Sequence, residues 1–81
     1  MKVVYHPNFQ KNLNKFPASI QNKFTKQVAH LLHDIRHPSL HAKKYDESQD
    51  IWQARVDKNF RFYFSIDGDV YILLEVKQHP K

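Results

Sequence analysis

The sequence predicts one α+β domain over residues 1–81, in the order β-α-α-β-β-β, with a helical hairpin packed on one face of an antiparallel sheet. Two observations lead to this fold. Apolar residues recur at helical spacing in the first half of the chain, and from Ile51 onwards they recur at every second position. The second pattern is typical of strands that bury one face.

The first half begins with a β-branched run at Lys2–Tyr5, which predicts a short strand that ends by Pro7. A short helix follows, with Asn8 as its expected N-cap and an apolar stripe made of Phe9, Leu13 and Phe16. Pro17 separates it from a longer helix that ends at His37-Pro38. The stripe of the longer helix consists of Ile20, Phe24, Val28, Leu31, Leu32 and Ile35. Residues 39–50 are expected to form a polar loop.

Three strands account for the second half. Their expected core faces are Trp52, Ala54 and Val56, then Phe60, Phe62 and Phe64, then Val70, Ile72, Leu74 and Val76. The opposite face is polar and consists of Gln53, Arg55, Arg61, Tyr63, Glu75, Lys77 and His79.

Turn length decides which side chains share a face, because a slip of one residue turns a strand over. A three-residue loop at 57–59, with Asn59 in the left-handed conformation, pairs Val56 with Phe60 and places Arg55 opposite Arg61. A two-residue loop would mix polar and apolar side chains on both faces. The odd loop is therefore predicted.

The turn around Gly68 is expected to have an odd number of residues for the same reason, with Gly68 left-handed. A three-residue loop pairs Arg61 with Leu73 and leaves His79 about 20 Å further along the strand. A five-residue loop pairs Arg61 with Glu75 and leaves His79 about 13 Å away. Only strand curvature or a bulge would then bring His79 to the arginines.

The polar face is a candidate phosphate site. Like charges opposite each other in a sheet are destabilising, so Arg55 and Arg61 are expected to hold an anion, and the chain carries a net charge of +5. Tyr63 offers a stacking surface, and histidine is the residue type that exchanges protons near neutrality. RNA cleavage by its own 2′-OH needs a base, an acid and cations, and this face has candidates for each. Edge protection would equally explain Lys77, and cross-strand packing would explain Tyr63.

Composition excludes several classes of site. The chain has no cysteine, so disulfides and thiolate metal sites are excluded and a reducing compartment is expected. Neither a membrane span nor a signal peptide is predicted. His30, His33, His37 and His41 have spacings that can ligate zinc, but no carboxylate lies in register with them. No metal and no cofactor is expected.

The order of these segments resembles the RelE/ParE toxin superfamily of bacterial toxin–antitoxin systems. The resemblance covers nearly the whole chain, including the helical hairpin that ends in His-Pro, the Trp-Gln-Ala-Arg-Val strand, the Asn-Phe-Arg-Phe-Tyr-Phe strand and the terminal Lys-Gln-His.

The resemblance implies either of two activities: RelE-type members cleave mRNA in the ribosomal A site, and ParE-type members inhibit DNA gyrase. A degenerate member that only binds is a third alternative. The histidine favours the nuclease. Arg61 then resembles the arginine that acts on the scissile phosphate, and His79 resembles the C-terminal histidine of the YoeB-like branch.

The remaining expected roles come from two sources: the resemblance implies those of Arg55, Lys43 and Lys44, and the polar face predicts those of Tyr63, Gln53 and Lys77. Arg55 and Tyr63 complete the catalytic set, and the expected RNA-binding residues are Lys43, Lys44, Gln53 and Lys77. The general base stays open, because Glu47 does not match the position of the glutamate that the YoeB-like branch uses. A cognate antitoxin, mRNA and the ribosome are the implied partners, in the cytoplasm.

Overall fold

The computed structural model describes residues 1–79 as an α+β fold, which confirms the predicted fold class. Its helices are α1 (Phe9–Leu13) and α2 (Ala18–His33), followed by a short 3₁₀ turn at Pro38–Leu40. Its strands are β1 (Lys2–Tyr5), β2 (Lys43–Asp46), β3 (Ile51–Arg55), β4 (Phe60–Asp67) and β5 (Val70–Gln78). They form one sheet in the order β1-β5-β4-β3-β2.

Two features of the sheet differ from the prediction. Strand β1 runs parallel to β5, so the sheet is mixed, although β2 to β5 are antiparallel to their neighbours. Strand β2 lies within the segment expected to be a loop. It pairs Lys43 with Gln53 and Lys44 with Trp52. Its sequence, Lys-Lys-Tyr-Asp, has no apolar alternation, and the strand forms because β3 presents an open edge to it.

The helical hairpin covers one face of the sheet, as predicted. Phe24 of α2 meets Phe62 of β4 edge to face, with ring centroids 5.4 Å apart, and Phe9 of α1 packs on Phe24 at 5.2 Å. Phe9, Phe62 and Phe64 are completely buried. Trp52 lies at the edge of this core, stacked on Phe64 and half-buried. The polar face of β3 and β4 is therefore the open one.

The pairing of β3 with β4 is the predicted one, with Arg55 opposite Arg61 and Trp52 opposite Phe64. The prediction of a left-handed conformation for Asn59 is wrong, because Asn59 is not among the residues with positive φ. The loop closes through Asp57 instead, whose carboxylate accepts hydrogen bonds from the backbone N–H of Asn59 (2.8 Å) and Phe60 (2.9 Å). Such side-chain turns need no left-handed residue.

The turn between β4 and β5 has two residues, Gly68 and Asp69, so the predicted odd loop is wrong. Gly68 does have the predicted positive φ (60°), and positive φ at the first central position alone is typical of a type II′ turn. The strand begins with Tyr71 and Leu73 in the core, rather than Ile72 and Leu74.

A β-bulge at Leu74 changes which side chains in the second half of β5 face the core. Phe64 pairs with Leu73, whereas Tyr63, the residue before Phe64, pairs with Glu75, so that Leu74 has no partner on β4. Without the extra residue, Glu75 would face the core opposite Phe62. The bulge places Val76 there instead, fully buried. It thus avoids the cost of burying a carboxylate.

The bulge also sets the register that the sequence left open. Arg61 pairs with Lys77, neither of the two partners considered. The backbone N–H of His79 donates to the carbonyl of Asn59 at 2.7 Å. His79 therefore lies beside the β3–β4 loop, two residues past the partner of Arg61.

The helix ends depart slightly from expectation. Helix α2 ends at His33, before the predicted His-Pro stop, and Leu32 is exposed. Asn8 precedes α1 but makes no side-chain capping bond. The side chain of Asn12, within α1, accepts a hydrogen bond from the N–H of Val76 at 2.7 Å. Val76 lies past the part of β5 that pairs with β1. None of the helices described is long and apolar enough to cross a bilayer.

Candidate active site

Three cations lie in one row across the open face of the sheet. Arg55, Arg61 and Lys77 are successive cross-strand partners on β3, β4 and β5. Lys77 is paired with Glu75 at 3.2 Å, whereas neither arginine forms an ion pair with a carboxylate of residues 1–79. The two arginines are therefore uncompensated positive charges.

Arg61 is fixed and buried although it is charged. It is 8% exposed, and its Nη1 donates to the carbonyl oxygens of Asp57 (2.7 Å) and Phe60 (3.0 Å). Burial first and the charge of Arg55 second lower the pKa of Arg61, yet guanidinium stays protonated in proteins. Arg61 also lines the adjacent cleft, so part of this residue is accessible from there.

The cleft has a volume of about 450 Å³. Its lining brings together residues of three strands and of the segments that precede β2 and follow β5, namely His41, Ala42, Lys43, Gln53, Arg55, Arg61 and His79. Among the described residues, Ala42 is the only apolar side chain of its lining, and none of those lining residues carries a carboxylate. A cleft of this composition favours an anionic, hydrogen-bonding ligand.

His79 lies at this cleft together with Arg61. It is exposed, and the bulge in β5 is the feature that brings it there. The open question of the sequence, whether His79 reaches the arginines, therefore has a structural answer: both side chains line the same cleft.

Tyr63 and Gln53 form the floor next to the row of cations. They are cross-strand partners, both buried, and Gln53 Nε2 donates to the hydroxyl of Tyr63 at 3.1 Å. Tyr45 of β2 packs edge to face on Tyr63 at 4.9 Å while remaining 58% exposed. The ammonium of Lys77 lies 5.6 Å from the centre of the Tyr63 ring. Tyr63 is thus a packed support, and Tyr45 offers the exposed ring.

The two lysines of β2 separate onto opposite faces. Lys43 lines the cleft. Lys44 lies over Trp52, 5.2 Å from the ring centre, and forms an ion pair with Asp50. The hydrogen bond that Lys44 donates to the carboxylate of Asp50 is the main cause that raises the pKa of Lys44. The structure therefore brings Lys43 to the cleft and does not bring Lys44 there.

His41 is the site residue that sequence reasoning considered only as a metal ligand. Continuing the β2–β3 register from Lys43 and Gln53 places His41 level with Arg55. Its backbone has φ of 46°, an uncommon conformation in which histidine is several-fold enriched, and strained backbone clusters at functional sites. The signal in the sequence was its position two residues before Lys43.

The other histidines do not assemble a metal site. Within residues 1–79, no group of three or more His, Asp or Glu side chains is arranged to hold a metal ion. His30 and His37 stack face to face instead, with ring centroids 3.8 Å apart. The acidic alternatives for a base are also elsewhere: Glu75 is paired with Lys77, and Glu47 is exposed in the β2–β3 turn and does not line the cleft.

The whole fold is similar to solved toxin structures. The YoeB/ParE toxin from Agrobacterium tumefaciens superposes with a TM-score of 0.79 at 13% identity, covering 99% of this chain and all of that one. The RelE–RelB complex from Pyrococcus horikoshii gives 0.77 at 20%, covering 95% and 92%. The YoeB–YefM complex from Staphylococcus aureus gives 0.77 at 11%, covering 96% and 95%.

By sequence, no protein-family model matches the chain, and no curated protein does. Identities of this size establish the fold and leave the chemistry to the site itself. Coverage of more than nine-tenths of both chains in each case nevertheless confirms the architecture that the segment order indicated. The chain has the RelE/ParE toxin fold.

Proposed function

We propose that this protein is the toxin of a type II toxin–antitoxin pair and cleaves mRNA in the ribosomal A site. The observation that carries this proposal is the cleft itself. A buried Arg61, whose Nη1 is bonded to two carbonyl oxygens, lines a space that Arg55, Lys43 and two histidines also line. Phosphodiester cleavage needs fixed cations and groups that transfer protons, and this cleft supplies both.

The reaction is attack of a ribose 2′-oxygen on the adjacent phosphorus. A base removes the 2′-OH proton, the new O–P bond forms, the bond from phosphorus to the 5′-oxygen breaks, and an acid gives that oxygen a proton. The products are a 2′,3′-cyclic phosphate and a 5′-OH, so no water is consumed. Arg61 and Arg55 stabilise the charge that develops on the non-bridging oxygens, where bidentate guanidinium contacts are strongest.

The two histidines of the cleft take the proton-transfer roles. His41 enters from the β2 side and His79 from the β5 side, with the arginines of β3 and β4 between them. In-line displacement places the entering and leaving oxygens on opposite sides of phosphorus. A base on one flank and an acid on the other match that geometry, and His41 fills the position of the base that the sequence left open.

Lys43 and Gln53 lie beside the arginines and bind the neighbouring phosphate and sugar oxygens. The exposed ring of Tyr45, supported by Tyr63, provides a stacking surface for a base. Lys77, held by Glu75, extends the positive charge along β5. Lys44 is assigned no contact with the substrate, because it lies over Trp52 on the other face of the sheet.

The partners follow from the structural relatives. Solved structures with this fold include complexes of RelE with RelB and of YoeB with YefM, and we extend an antitoxin partner to this chain. An acidic antitoxin segment would neutralise the uncompensated arginines, and its association would be fast and sensitive to salt. Toxin, antitoxin and ribosome meet in the cytoplasm.

The test is induction of the protein alone in growing cells, with mapping of mRNA ends. We expect growth arrest with cuts in translated codons, and loss of both effects in Arg61→Ala. Arg61→Lys keeps the charge but not the bidentate fork, and it should retain only a small part of the activity. DNA breaks with intact mRNA would instead assign the protein to gyrase inhibition. A folded protein that is harmless would assign it a binding role.

A further inference from the structure

We propose that a second groove, between α2 and the β3–β4 loop, binds the phosphodiester backbone of the RNA strand next to the segment cleaved. This "histidine groove" is defined by Lys26, His30, His37, His41, Arg55 and Lys58. It has a volume of about 430 Å³. The inference rests on the proposed nuclease function, which supplies the strand.

The centre of the groove is the stacked pair His30 and His37. Their rings are 3.8 Å apart and nearly parallel, at 17°. The buried Gln27 ties the surrounding elements together, because its amide donates to the carbonyls of Ser39 (3.1 Å) and Arg55 (2.9 Å). The N–H of Ser39 in turn donates to Nδ1 of His37 at 3.2 Å. The stacking and these hydrogen bonds therefore fix the position of the pair relative to α2, the 3₁₀ turn and β3.

The charge of the groove is positive and largely uncompensated. The part of its lining that the structure describes contains one carboxylate, that of Asp57, which is already paired with Lys23 at 3.2 Å. Within residues 1–79, Lys26, Lys58 and Arg55 form no ion pair. Phosphates attract such clusters because binding releases condensed counterions.

The groove is continuous with the cleft. His41 and Arg55 line both of them. A strand held at Arg55 by the phosphate being cleaved can therefore continue past His41 to the stacked histidines without leaving protein surface. This continuity identifies the ligand as more of the same RNA strand.

The chemistry of the lining favours RNA over a protein helix. Val56 is the only apolar side chain among the described residues that line it, whereas an amphipathic helix needs several apolar contacts along its groove. Flat imidazole rings and cations can contact both the bases and the backbone of single-stranded RNA. Binding of an acidic peptide instead of RNA is therefore one of the outcomes that the test below distinguishes.

Binding should be linked to protonation. Burial first, then the charges of His37, Lys26 and His33, lower the pKa of His30. A phosphate opposes these effects, so it favours the protonated ring and binds more tightly as the pH falls. The other groups facing the pair come from α2, the 3₁₀ turn and the β3–β4 loop, namely Lys23, Lys26, His41, Arg55, Asp57 and Lys58.

The test is fluorescence anisotropy with a single-stranded 2′-O-methyl oligoribonucleotide, which the protein cannot cleave. Lys26→Gln should weaken binding about three- to tenfold and lower the salt slope by about 0.7. Lys2→Gln, with the same loss of charge beside the distant β4–β5 turn, should bind like the wild type. The double variant His30→Gln/His37→Gln should lose much of the gain in affinity between about pH 7.5 and about pH 5.5. The variant His6→Gln, at an exposed position outside both the groove and the cleft, should keep that gain.

Equal binding by the Lys26 and Lys2 variants, or no binding by the wild type, would overturn the inference. The inference would also be overturned if the groove variants lost affinity for an acidic peptide but bound RNA like the wild type. Failure of the nuclease proposal gives a different result: the wild type would leave mRNA intact, or Arg61→Ala would cleave mRNA as well as the wild type, whatever the groove variants do. If Arg61→Ala abolishes cleavage while groove variants bind normally, the nuclease proposal stands and the groove proposal falls.

Discussion

Arg55 and Arg61 are direct cross-strand partners, and neither forms an ion pair with a carboxylate of the described residues. Lys77 lies on the other side of Arg61. Like charges in such positions destabilise a sheet by up to about 1 kcal/mol per pair. This cost persists in the free protein and is relieved when an anion binds, so binding and stability are coupled at these residues.

The first prediction concerns that coupling. Inorganic phosphate should raise the melting temperature of the wild type, by about 4–8 °C for each kcal/mol of binding energy. Arg61→Gln should lose most of this rise while retaining a folded circular dichroism spectrum, and Lys2→Gln should keep it. An equal rise in both variants would show that the phosphate acts on the general charge of the chain rather than on the cleft.

The second prediction concerns His41 and His79. If one is the base and the other the acid, the rate of mRNA cleavage on the ribosome has a bell-shaped dependence on pH. Replacing either by Gln should slow cleavage by about 10²- to 10⁴-fold and flatten one limb of the bell, a different limb for each variant. His33→Gln, outside the cleft, is the control. If both variants kept the bell, proton transfer would belong to other groups.

The third prediction concerns Asp57, which supports Arg61 from the turn. Burial raises the pKa of Asp57, but the hydrogen bonds from Asn59 and Phe60 and the contact with Lys23 outweigh it, so the pKa lies below 3.8. A lowered pKa in the folded state means stability that is present above about pH 4 and lost as the pH falls through the folded value.

Asp57→Ala removes these bonds and should cost about 1–3 kcal/mol at neutral pH, measured by urea unfolding. The difference from the wild type should shrink as the pH falls from about 4 through the lowered pKa of folded Asp57, below which both chains lack the carboxylate charge. A difference that stayed constant down to pH 2 would mean that the turn does not depend on this charge. Lys58→Ala, at an exposed position of the same loop, should change stability by less than about 0.5 kcal/mol.

The sequence could predict the β3–β4 hairpin because the side chains alternate without exception over residues 52–56 and again over residues 60–64, and only one loop parity keeps the core apolar. It could not predict β5 in the same way. An odd loop and a two-residue turn followed by a bulge have the same result: both place Val76 on the core face and Lys77 on the polar face. Adjacent apolar residues on both sides of Leu73 make the two solutions equivalent in pattern.

The site was predictable where it lay on that hairpin. Arg55, Arg61, Gln53 and Tyr63 follow from alternation alone. His41 and Tyr45 were not predictable as site residues, because their placement depends on β2, a strand with no apolar alternation of its own. Edge pairing of this kind is determined by the partner strand, and a single sequence contains little information about it.

The last prediction tests the bulge. Deleting one leucine of the adjacent pair Leu73 and Leu74 removes the extra residue while leaving Phe64 opposite a leucine and Tyr63 opposite Glu75. We expect a folded protein with a regular β4–β5 ladder, and His79 still on the cleft side. Deleting Val76 is the contrast, because Lys77 would then fall opposite Phe62 in the core and unfolding should follow. Amide hydrogen exchange along β5 distinguishes these outcomes. If the leucine deletion unfolded the chain as readily as the valine deletion, the bulge would be required for folding itself, beyond setting which side chains reach the cleft.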